Sequence, residues 1–258
     1  MRDLLAADLQ RLRYRSLTRV LLVVAFALGV AAGVIEFVHT AKHPFDPASG
    51  FGGAIINAAT PLVVAGLLLG ASMLGADYTS RALTTLLTWE PRRARVVGSR
   101  SLACAGVAGG ISLVALVFVA LCMVPSALFH STGVTPSVGQ LVSAGGDALR
   151  CSLLVAASAA AGVSLAALTR STAAAIGVLV VYLVLVEQAA VSLVPSIGRW
   201  MLIADALSWV NPGSTSQLGG KGGPAHGHTL IVDGLLLLGA VLALHAVATA
   251  VFNRVDIG

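Results

Sequence analysis

A chain of 258 residues that is 57% hydrophobic and only 10% charged, with a mean hydropathy of +0.92, departs far from the roughly 25% charged usage of soluble domains. No water-soluble fold hides that much apolar surface, so the composition excludes a soluble enzyme or a soluble nucleic-acid binder. The formal net charge of +5 reads as membrane topology, because the arginines stand at the ends of apolar stretches.

The N-terminal stretch places Leu5, Leu9 and Leu12 at helical i, i+4, i+7 spacing among Arg2, Arg11, Arg13 and Arg15. That pattern predicts a short helix lying in the inner membrane interface. The apolar run from Val20 to Ile35 is longer than a signal-peptide core and lacks a polar cleavage region, so it reads as an uncleaved first span. Six apolar segments follow one another, at residues 20–38, 54–76, 101–125, 149–168, 173–194 and 230–252. Each is long enough to cross a hydrocarbon core of ~30 Å as a helix. The expected fold class is therefore all-α: a polytopic membrane protein with six transmembrane helices, forming a single transmembrane domain over residues 1–258. Runs of small residues such as Gly106 to Gly110 and Ala156 to Gly162 permit close helix approach in lipid.

Counting Lys and Arg by loop with the N-terminus inside puts twelve of the sixteen on the inner side, leaving Lys42, Arg150, Arg199 and Lys221 outside. The bias predicts that both termini are cytoplasmic; the expected location is the plasma membrane. Cys104, Cys122 and Cys151 stand singly without CxxC spacing and read as small buried hydrophobes. In the longest outer loop, Ile197, Trp200, Met201, Ala204 and Leu207 recur at helical spacing, predicting a short interfacial or re-entrant helix that ends near Asn211-Pro212. Residues 213–228 read as a Gly- and Ser-rich linker.

The inner loop between the second and third spans, residues 77–100, carries the most information. Leu83, Leu86 and Leu87 share one helical face, Pro91 can open a second short helix because its missing N–H falls where none is needed, and Arg92, Arg93 and Arg95 follow. A solvated basic loop on anionic headgroups explains the arginines, but not the Leu-Leu-x-x-x-Pro arrangement. In the order Asp77, Leu86-Leu87, Pro91 and Arg93, the chain resembles the transmembrane subunits of ABC-2-type exporters. The basic N-terminus, the stretch from Leu207 to Pro212 and the closing Phe252-Asn-Arg-Val-Asp-Ile257 add to the likeness. The family's usual Gly-Thr after the acidic residue is replaced by Arg81-Ala82.

The resemblance implies a permease subunit without chemistry of its own, whose cytoplasmic coupling helix is received by a separate ATP-binding (ABC ATPase) subunit. Leu86, Leu87, Pro91, Arg92, Arg93 and Arg95 would make that contact. ATP and Mg would be bound by the partner, not by this chain, and a second permease subunit, identical or related, would complete the translocation route. A non-transporting membrane scaffold that anchors a soluble partner is the alternative.

The stretch Gly219-Gly-Lys-Gly-Gly223 lacks the Ser or Thr and the spacing of a phosphate-binding loop. His226-Gly-His228 has no third ligand for a metal, and no nucleophile–base arrangement is present. Within the spans, Glu187 can face a translocation cavity or be a hydrogen-bonded structural carboxyl, and His245 reads as an interhelical contact. Glu36 and Asp233 lie close to the outer boundary and are expected to reach water. The Ala, Leu, Val and Gly walls suit a lipophilic substrate such as a drug, lipid or peptide.

Overall fold

The computed structural model describes residues 2–16, 18–20, 47–80, 92–129, 137–193, 201–210 and 229–254, together with positions 82 and 88 and single positions between 23 and 38. Among them the chain is helical apart from short breaks, with no strand. The helices are α1 (Arg2–Tyr14), α2 (Pro47–Thr79), α3 (Arg93–Phe129), α4 (Val138–Thr169), α5 (Thr172–Val181), a π turn (Tyr182–Val186), α6 (Glu187–Leu193), α7 (Leu202–Val210) and α8 (Leu230–Arg254).

Four of these, over Gly50–Thr79, Arg93–Pro125, Val138–Thr169 and Leu230–Arg254, are long and apolar enough to cross a membrane. They cover the expected spans at 54–76, 101–125, 149–168 and 230–252, but α3 and α4 begin about two turns or more earlier than hydropathy indicates. The reason for α4 is local. Ser137 accepts the Gln140 N–H while Gln140 bonds back to the Ser137 N–H, a capping box that starts the helix in a polar stretch which an apolar window overlooks.

Over the expected fifth span the chain is helical from Thr172 to Leu193, interrupted by the π turn. Between residues 20 and 38 the described positions, Val23, Val30 and Val34 among them, are helical and exposed. The helix expected near Ile197 to Pro212 is α7, which ends at Val210 just before Asn211-Pro212.

The core is centred on α4, which packs against α2, α3 and α8. Two glycines set the distance of the tightest pair. A Cβ on Gly70 of α2 would collide with the Ala159 backbone of α4, and one on Gly162 of α4 would collide with the carbonyl of Leu67 and come within 2.9 Å of the Ala71 nitrogen. The approach is backbone to backbone, and Ser158 adds a hydrogen bond to the Val63 carbonyl across it at 2.9 Å.

Arg170, between α4 and α5, adopts φ 55°, a left-handed conformation that closes α4 through its N–H to the Ala166 carbonyl. A non-glycine residue there carries roughly 1 kcal/mol of backbone strain. Arg170→Gly is expected to raise stability by about that amount, read as a higher unfolding midpoint of the detergent-purified protein. An unchanged or lower midpoint counts against the strain.

Candidate functional site

At the end of the bundle that carries the 77–100 loop, α1 turns inward a face that mixes leucine and charge. Leu12 is buried and Leu5 packs half-buried against the core, while Leu9 is exposed and Asp8 is buried in its place. Asp8, Arg11, Leu12 and Arg15 recur at i, i+3, i+4 and i+7, so they lie along one side of the helical path. The surface opposite them is charged, which is why Asp8 and Arg15 turn inward alongside Leu12.

The contacts form one network across three helices. Arg11 donates two hydrogen bonds to the Asp77 carboxylate of α2, at 3.1 and 2.9 Å. Arg100 of α3 approaches the same carboxylate at 2.5 Å through Nη2, and its Nε stands 4.0 Å from Asp8. Asp8 accepts from the Ser99 hydroxyl at 2.7 Å. Arg15, just past α1, donates to the Ser72 carbonyl at 3.2 Å. Burial lowers the Arg15 guanidinium pKa below its ordinary value, and neighbouring Arg11 and Arg100 act in the same direction against Asp77.

Arg100 is 1% exposed, and its Nε and Nη1 have no hydrogen-bond partner among the described residues. A buried guanidinium in that setting depends on its carboxylate, and the carboxylate on it.

A second set of contacts lies beside the first. Arg93 donates to the Phe252 carbonyl near the C-terminus of α8 at 3.0 Å, and its guanidinium stands 5.9 Å from the Phe252 ring centroid. A cation at that helix end also meets the negative pole of α8. The Phe252 ring packs edge-on against Tyr78 of α2 at 6.3 Å, and the Tyr78 hydroxyl donates to the Ala167 carbonyl of α4 at 3.4 Å. Both flanks of the inner loop, Asp77-Tyr78 on one side and Arg93 to Arg100 on the other, are thus tied to α1, α4 and α8.

Of the six residues expected to meet a partner, Arg92, Arg93 and Arg95 are described, whereas Leu86, Leu87 and Pro91 lie outside the described residues. Arg92 and Arg95 are exposed at the start of α3. Arg93 is turned into the bundle by the bonds above. Asp8, Ser99 and Arg100 were not anticipated as a site. The available signal was Asp8, one of two acids in a basic amphipathic segment, set three residues before Arg11.

Elsewhere, Glu187 is 2% exposed and accepts the N–H of Leu202 at 3.0 Å, capping the start of α7. The π turn ends at Glu187, whose N–H bonds to the Tyr182 carbonyl. Of its two readings, the hydrogen-bonded structural carboxyl has an observed donor. His245 lies 3.4 Å from the Ser101 hydroxyl and 3.2 Å from that of Ser164, an interhelical contact joining α8 to α3 and α4. Asp233 does not reach water as expected: it is 1% exposed, because α8 turns it towards the bundle. The chain matches no protein-family model and no curated protein sequence.

Proposed function

We propose that this chain is the membrane-spanning permease subunit of an ATP-binding cassette exporter of the ABC-2 type. Six spans would cross the plasma membrane with both termini in the cytoplasm: the four long apolar helices, the run from Thr172 to Leu193, and the segment at 20–38. A separate ATPase subunit would bind ATP and Mg, and a second permease subunit would complete the translocation route. This chain supplies binding and gating without covalent chemistry.

The observation that carries the reading is the linkage of both loop flanks to the bundle. A push on a loop moves a membrane domain only if the loop is held rigidly. Asp77 and Arg100 are joined to each other and to α1, while Arg93 is joined to the end of α8. Force applied at residues 80–92 is therefore delivered to four helices together. Exposed Arg92 and Arg95 offer charge to an acidic groove on the ATPase, with Leu86, Leu87 and Pro91 as the apolar part of the contact.

The test is affinity purification in mild detergent from the native cell. A protein bearing nucleotide-binding motifs is expected with the unaltered chain, and its yield should fall about tenfold or more when Arg92 and Arg95 are both changed to Glu, the loss of roughly one good interfacial charge pair. Reconstituted vesicles should then show ATP-dependent transport that Arg93→Ala diminishes while ATP hydrolysis continues. Recovery of the ATPase undiminished by the double change would end the coupling assignment. A stable partner without ATP-dependent movement of any compound would favour the scaffold reading.

A further inference from the structure

About 25 Å along α4 from Ala167, at 1.5 Å per residue, α4, α7 and α8 meet around Trp209. Its indole Nε1 donates to the Arg150 carbonyl of α4 at 3.2 Å, and its ring occupies the space left by the missing side chain of Gly234 on α8, where a Cβ would stand 2.9 Å from Cη2. The residue before Gly234 is Asp233. It is 1% exposed, and neither carboxylate oxygen has a hydrogen-bond partner among the described residues.

The charged groups described around this junction do not pair with Asp233. Arg150 pairs with Asp147 one turn back in its own helix through Nη2 rather than with Asp233, and its buried Nε has no hydrogen-bond partner among the described residues. Asp205 of α7, also buried, has an interaction of its own. Asp233 is therefore a lone carboxylate withdrawn from water, a state that is costly until an opposite charge meets it. The indole packed on the next residue, Gly234, is the kind of side chain best suited to hold a cation against its face. One carboxylate does not make a site for a divalent metal, which takes six to eight oxygen ligands if it is calcium.

We propose that Asp233 and Trp209 form a recognition site for the cationic group of an apolar organic cation. The carboxylate provides the counter-charge, the indole provides cation–π and apolar contact, and the surrounding aliphatic helices accept the hydrophobic body. Calling that cation a transported substrate rests on the exporter reading; binding it is a property of this chain alone.

The test uses the purified full chain in detergent, with radiolabelled tetraphenylphosphonium in equilibrium dialysis and tetraphenylborate, an anion of the same shape, as competitor. Saturable phosphonium binding that the borate does not displace is expected. Asp233→Asn should weaken it about tenfold or more, as loss of one partner of a desolvated charge pair does. Asp233→Glu should retain most of the affinity, and Trp209→Phe should give an intermediate loss. Circular dichroism and gel filtration identify any variant that fails to fold, and for such a variant the borate competition on the unaltered chain decides. Absence of saturable binding, displacement by borate, or a folded Asp233→Asn of unchanged affinity would overturn the site. None of these outcomes involves the ATPase, so each leaves the exporter reading standing, and loss of the ATPase contact leaves this site standing.

Discussion

Replacing Asp77 by Asn is expected to cost about 3–5 kcal/mol of stability, the range for breaking a buried ion pair by removing one partner. The two arginines that share the carboxylate respond differently. The Arg11 side chain is 45% exposed and recovers water when its partner is lost. Arg100 is 1% exposed, already has Nε and Nη1 without hydrogen bonds among the described residues, and keeps only a 4.0 Å approach to Asp8. Most of the penalty therefore belongs to Arg100. Changing Arg100 to Met together with Asp77→Asn should recover the greater part of the loss, because no uncompensated charge is then left inside. Thermal unfolding of the four proteins in one detergent, followed by tryptophan fluorescence, checks the cycle. Equal melting of Asp77→Asn and the unaltered chain would remove the network from any structural or coupling role.

Gly70→Leu should also be strongly damaging. The nearest atoms to a new Cβ are the Ala159 carbonyl and the backbone nitrogen of Val163, and backbone cannot rotate aside as a side chain can. Overpacking of ~3 kcal/mol, the upper part of its ordinary range, is expected, with α2 and α4 forced apart. Gly110→Leu is the control: Gly110 is exposed, and nothing lies within 4 Å of its Cβ position. The measurement is gel filtration and melting of both variants. Aggregation or a large drop in midpoint is expected for Gly70→Leu and near-neutral behaviour for Gly110→Leu. Similar behaviour of the two would mean that the close approach at Gly70 does not hold the bundle together.

The difference between those glycines shows how far a sequence can be read. Both lie in apolar stretches rich in small residues, and the expectation of close helix packing followed from that composition. Nothing in the pattern distinguishes a glycine under a neighbouring backbone from one facing outward, because the distinction depends on which helix lies alongside. Asp233 was misjudged for the same reason. Distance from the end of an apolar run measures depth along the helix axis, and burial depends on the rotation of the helix about that axis.

The N-terminal helix gives the complementary case. Its existence and basic character follow from spacing and composition, and α1 forms over Arg2–Tyr14. Its buried face does not follow, since the leucine stripe and the stripe of Asp8, Leu12 and Arg15 are both helical in period and the face turned inward mixes them. Its charged part was selected by Asp77 and Arg100, far away in sequence, whose charges meet Arg11 and Asp8 inside the bundle. Arg93 repeats the lesson: from the sequence it belongs with Arg92 and Arg95 as an outward cation, and in the fold it closes the end of α8.

What the sequence determined by itself is the class of solvent this chain occupies and the order of its apolar helices. Hydropathy and helical period are local properties, and transfer free energy acts on each segment before any helix has a neighbour. The tertiary structure decided the pairing of Asp77 with Arg11 and Arg100, the seating of Arg93 on Phe252, and the isolation of Asp233 beside Trp209. Each of those depends on distances between segments remote in the chain, and only the close packing of α2, α3 and α8 around α4 sets them.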